Sequence, residues 1–60
     1  MAGDRATKML ILSSARTLFS EKGYDATPVE EICELAGIAK GTFFYYFESK
    51  QSIVRYILAM

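Results

Sequence analysis

Apolar positions recur at helical spacing over most of this chain. Between Thr7 and Lys22, Ile11, Ala15, Leu18 and Phe19 fall at i, i+4, i+7 and i+8, with Leu12 beside them. That spacing is the stripe of an amphipathic helix. Gly23 follows at the position where a left-handed residue costs least, and Lys22 suits the negative end of the helix dipole. Tyr24 supplies an aromatic that can fold back on the helix end. A second helix is predicted from Thr27-Pro28-Val29-Glu30: Thr27 as N-cap, Pro28 in the first helical position, Glu30 closing a capping box. Val29, Ile32, Cys33 and Ala36 form its buried face, Glu30, Glu31 and Glu34 fall off it, and Gly37 ends it.

Ile38-Ala39 allows only an abrupt change of direction. A short third helix is expected from Lys40 to Phe47, with Phe43 and Phe47 turned inward. Ser49 is a good N-cap for a fourth helix carrying Ile53, Val54, Ile57 and Leu58. No Gly, Pro or Asn follows before Met60, so the pattern reads as cut within a helix, a fragment or the ordered head of a longer protein. The opening Met1-Ala2-Gly3-Asp4 reads as a frayed cytoplasmic start. The expected fold class is all-α: a three-helix helix-turn-helix unit plus the start of a fourth helix, with the two crossing helices at about residues 29–48.

Composition removes several functions. With 52% hydrophobic residues, one Pro and four Gly among 60, the chain is too apolar for disorder. The longest early apolar run, Met9-Leu10-Ile11-Leu12, is far too short for a signal or a membrane span. The single Cys33 cannot form an internal disulfide, which favours a reducing, cytoplasmic setting. No His, one Cys and no Gly-rich phosphate loop leave little for catalysis or metal ligation, so neither an enzyme nor a metal or cofactor site is expected.

Two features point to a binding surface. Five consecutive aromatics, Phe43-Phe44-Tyr45-Tyr46-Phe47, cannot all face a core, so at least Tyr45 and part of Phe44 or Tyr46 must face out. Gly41, within the first turn of the third helix, costs about 1 kcal/mol relative to Ala. A close approach by another backbone or a ligand would explain it. A unit of this kind presents the first part of its second crossing helix, from Ala39 to Tyr46, to the major groove.

Gly23-Tyr24-Asp25-Ala26-Thr27, Ile32-Cys33-Glu34-Leu35-Ala36-Gly37-Ile38 and, above all, Lys40-Gly41-Thr42-Phe43-Phe44-Tyr45-Tyr46-Phe47-Glu48-Ser49-Lys50 resemble the DNA-binding head of tetracycline-repressor-type (TetR family) transcriptional regulators. The resemblance runs from about Thr7 to Leu58. It implies a bacterial homodimer that binds a palindromic operator in double-stranded DNA. It also implies a helical C-terminal domain, outside residues 1–60, that holds the dimer interface and a small-molecule effector whose binding releases the DNA. By the same resemblance, Lys40 and Gly41 approach base edges, and Thr42, Tyr45 and Tyr46 give phosphate or groove contacts. Lys50 binds phosphate at the start of the fourth helix, and Thr27 lies near the DNA backbone.

The chain departs from the family pattern at four positions. Ala39 stands where Ser or Thr is usual, removing an N-cap and a polar contact; Phe44 replaces a Tyr; Pro28 replaces Thr or Ser; Cys33 replaces a small Ala. An alternative reading is a helical protein-interaction module using the exposed aromatic face.

Lys and Arg number 7 and Asp and Glu 7, so the net charge is zero. The charge is nonetheless sorted. Arg5, Lys8 and Arg16 against Asp4 leave +2 in residues 1–20; Glu21, Asp25, Glu30, Glu31 and Glu34 against Lys22 leave −4 in 21–34; Lys40, Lys50 and Arg55 against Glu48 leave +2 in 35–60. Neutrality therefore argues against indiscriminate polyanion binding, while the third helix and its flank remain mildly basic.

Overall fold

A computed structural model describes residues 2–58, the side chains of residues 2–4 excepted. It contains four helices and no strand among the described residues: α1 (Ala2–Lys22), α2 (Val29–Ala36), α3 (Lys40–Tyr46) and α4 (Lys50–Leu58). Helix α1 packs against α2 and α4, and α2 packs against α3. The core is one cluster: Ile11, Leu12 and Ala15 from α1, Ile32 and Cys33 from α2, Phe43 and Phe47 from α3 and its end, and Ile53 from α4. These are the positions that the helical spacing assigns to the inside.

Two boundaries differ from the sequence expectation. Helix α1 begins at Ala2 rather than Thr7, because Arg5 and Ala6 are good helix formers and no proline interrupts them. Met1, and the expected run of the fourth helix through Ala59 and Met60, lie outside the described residues. Helix α3 stops at Tyr46, since Phe47 is already extended at φ −133° and ψ 131°. Its ring still reaches the core.

The start of α2 departs more. Pro28, at φ −75° and ψ 156°, occupies the N-cap position, and no side chain caps the helix. Thr27 is fully buried, and its hydroxyl donates backward to the Gly23 carbonyl at 2.7 Å, with Leu18 O a weaker acceptor at 3.5 Å. Glu30 points instead to Lys40. The capping box is thus absent: the buried Thr27 hydroxyl is spent on carbonyls at the end of α1 and the start of the loop, and so does not cap α2.

Gly37 makes the turn of the helix-turn-helix. It lies at φ 73°, donating its N–H to Glu34 O at 3.2 Å while Ile38 N–H reaches Cys33 O at 3.0 Å. This pair of bonds is the Schellman closure, which satisfies carbonyls left open at the end of α2. It redirects the chain within three residues and fixes α3 against α2.

Candidate nucleic-acid interface

The buried Phe43 ring anchors α3, and that anchor decides what the helix shows. Its neighbours in sequence turn outward: Phe44 is 47% exposed and Tyr45 76%. Phe44 meets Phe43 edge to face at 5.0 Å, and Tyr45 meets Tyr46 in the same way at 5.0 Å. Such edge contacts hold rings at the surface in a defined orientation. Thr42 and Tyr46 are half-buried, and Gly41 is exposed. A Cβ placed on Gly41 would meet nothing within 4 Å, so no neighbour within the described chain demands a glycine there.

Lys40, the first residue of α3, reaches back to α2, and its ammonium donates to Glu30 Oε2 at 2.8 Å. Both side chains remain largely in solvent, at 57% and 65% exposure. The hydrogen bond from Lys40, helped by the Glu30 backbone N–H, holds the Glu30 carboxyl below the usual glutamate range. The same hydrogen bond raises Lys40 above the ordinary lysine value. A surface pair of this kind is weak and exchangeable, so Lys40 can leave it for a better acceptor. Burial, with the Glu30 charge adding to it, pushes the Cys33 thiol up and keeps it neutral.

Lys40, Gly41, Thr42, Tyr45 and Tyr46 therefore lie on one helix. The other two expected contact residues, Thr27 and Lys50, lie off that helix. Thr27 has no exposed surface, and its hydroxyl is committed within the chain. The Lys50 ammonium donates to Tyr24 O at 2.7 Å and Thr27 O at 2.9 Å, and lies 4.3 Å from the Tyr24 ring centroid. The α1–α2 loop carbonyls thus converge on the first turn of α4, at the lysine expected to hold a phosphate.

A basic edge also went unseen in the sequence. Arg5 and Lys8 line a groove with Met9, Leu12, Tyr46 and Tyr56. The Lys8 ammonium lies 4.3 Å from the Tyr56 ring centroid and 5.9 Å from that of Phe47. No linear spacing connects residue 8 to residues 46 and 56; only the packing of α1 on α4 does. On the far side of α2, Lys22 pairs with Glu31 and pins α1 to α2.

A helix-turn-helix with this exposed second helix invites comparison with known regulators. The family model described as bacterial regulatory proteins, tetR family, matches residues 11–57. The chain belongs to the tetR family. It is similar to the biofilm operon icaADBC HTH-type negative transcriptional regulator IcaR of Staphylococcus aureus (strain Newman), with 49% identity over 43 residues, 72% of this chain and 23% of that protein. It is also similar to the HTH-type transcriptional repressor KstR2 of Rhodococcus jostii (strain RHA1), with 40% identity over 57 residues, 95% of this chain and 28% of that protein. The chain thus spans about a quarter of the length of these relatives. No solved structure matches it. Membership of the tetR family places the chain among bacterial regulatory proteins. No helix among the described residues is long and apolar enough to cross a membrane.

Proposed function

We propose that this chain lays the exposed face of α3 in the major groove of double-stranded DNA and reads an operator there. The observation that carries the reading is the anchoring of α3 through Phe43. It leaves Lys40, Gly41, Thr42 and Tyr45 facing out on a helix held from behind. Lys40 donates to acceptors on a base edge, such as guanine O6 and N7, and Gly41 lets the backbone approach closely. Thr42, Tyr45 and Tyr46 offer hydroxyls to phosphates or to the groove, contacts that fix orientation. With zero net charge, bulk attraction to DNA is modest, and affinity depends on these shaped contacts and on pairing two heads.

The likeness to proteins named as a repressor and a negative regulator supports a repressor. In the whole protein, a domain after Met60 pairs two chains about a two-fold axis and holds a small effector that releases the DNA. The operator is then palindromic, and the setting is the cytoplasm. Selection of bound sites from random duplexes with the full chain and with Lys40→Ala tests this. A palindrome should emerge, and Lys40→Ala should relax the preference at one position per half-site. Selection without enrichment defeats the reading, and unchanged base preferences with Lys40→Ala remove that residue's role.

A further inference from the structure

The glutamates of α2 face different neighbours. Glu31 pairs with Lys22 on the α1 side, and Glu34 lines that side with Leu18 and Lys22. Glu30 turns to α3, where its Oε2 accepts from the Lys40 ammonium at 2.8 Å. Both partners stand in a first turn, Glu30 in that of α2 and Lys40 in that of α3. Both are largely in solvent, and Glu30 caps no helix. A pair so exposed adds little to stability, so the fold by itself gives no reason for a carboxylate at this place. Its position does: it lies one hydrogen bond from the cation that faces the base edges.

We infer that Glu30 is a specificity-determining residue, accepting from the N4 amino group of a cytosine while Lys40 donates to the guanine of the same base pair. The inference rests on the proposed major-groove reading by Lys40. A G·C pair shows acceptors, N7 and O6, on its guanine and a donor, the N4 amino group, on its cytosine. O6 and N4 are themselves joined by a hydrogen bond, which sets them about 2.9 Å apart. Lys40 Nζ and Glu30 Oε2 are 2.8 Å apart, so the ion pair matches that edge in both spacing and sense. Reading does not require the pair to break. The ammonium keeps further donors, the carboxylate further lone pairs, and the amino group a second hydrogen that faces the groove. Other base pairs fit worse. A C·G pair reverses the sense and sets O6 against the carboxylate. An A·T pair puts thymine O4 there, acceptor on acceptor. A T·A pair keeps the sense but loses guanine N7 under Lys40 and brings adenine N7 towards Glu30.

The test uses full chains, wild type and Glu30→Ala, on a site selected from random duplexes. Selection with Lys40→Ala first marks the position that depends on Lys40. In a second duplex, the cytosine at that position is replaced by 2-pyrimidinone, which lacks the 4-amino group. Losing this one charge-assisted hydrogen bond should weaken wild type about fivefold more than it weakens Glu30→Ala. Any weaker pairing of the analogue acts on both proteins and cancels in that ratio. Equal losses overturn the inference, and so does a selected site in which the Lys40-dependent position is absent or is not a G·C pair. Equal losses with tighter binding of Glu30→Ala to every duplex mark a carboxylate that only repels phosphate. In all these outcomes the DNA reading stands. Selection by wild type without any enrichment defeats both.

Discussion

Replacing Thr27 by valine separates two roles that the same residue could play. The side chain is fully buried, and its hydroxyl donates to Gly23 O at 2.7 Å, with Leu18 O too distant at 3.5 Å to add much. Valine keeps the shape and deletes the donor. Gly23 is itself exposed, so water can take up its freed carbonyl, and the loss is that of one ordinary hydrogen bond. That is about 1 kcal/mol, which lowers the unfolding midpoint of a domain this small by about 4–8 °C. Thr27→Ala should cost more, about 2 kcal/mol, because the methyl it removes is packed as well. Thermal unfolding followed by far-ultraviolet circular dichroism reads both. Under conditions where both proteins are fully folded, Thr27→Val should bind a selected duplex within about twofold of wild type, because no hydroxyl was offered to DNA. Unchanged stability together with tenfold weaker DNA binding would refute this reasoning and return Thr27 to the interface.

Other variants test the remaining devices. Gly37 lies at φ 73° with nothing within 4 Å of an added Cβ, so alanine there meets only backbone strain, about 1–2 kcal/mol, and the β-branched Gly37→Val should lose more; urea denaturation should rank them glycine, alanine, valine. The Glu30–Lys40 pair has a pH signature with two opposite limbs. Glu30 is lowered by Lys40, so its share of stability is present above the ordinary glutamate range and lost as pH falls through its lowered pKa. Lys40 is raised by Glu30, so its share is present below the ordinary lysine range and lost as pH rises through its raised pKa. The Glu30 carboxyl, followed by nuclear magnetic resonance, should therefore titrate below the ordinary glutamate range in wild type and shift upward towards it in Lys40→Met, its own backbone N–H keeping part of the lowering.

Much of the fold is readable from periodicity. The inward positions Ile11, Ala15, Ile32, Cys33, Phe43 and Ile53 follow from helical spacing alone, because a single small core leaves each helix one face to bury. Gly37 is equally legible, since only a glycine closes a helix cheaply at that point. What spacing cannot show is where a polar side chain goes when it has two acceptors. Thr27 carried the local signature of an N-cap, yet its buried hydroxyl turned back to the Gly23 carbonyl instead. Glu30 carried the signature of a capping partner, yet a cation ten residues away took it. Lys50 is the strongest case, because its acceptors are backbone carbonyls 23 and 26 residues away, and carbonyls leave no trace in a sequence. The outward face of α3 was legible for a different reason: five adjacent aromatics exceed what one short helix can bury.

The central claim is that α3 serves DNA, and the dependence of affinity on salt tests it most directly. Each phosphate neutralised by a cationic side chain contributes about −0.9 to the slope of log K against log salt. Lys40 is the cation that the account places on the duplex, so binding of the full chain to its selected duplex should weaken measurably as salt rises, with a modest slope of about −1. An aromatic surface built for a protein partner would have no such dependence, and a flat plot, or no binding to duplex DNA at low salt, contradicts the account.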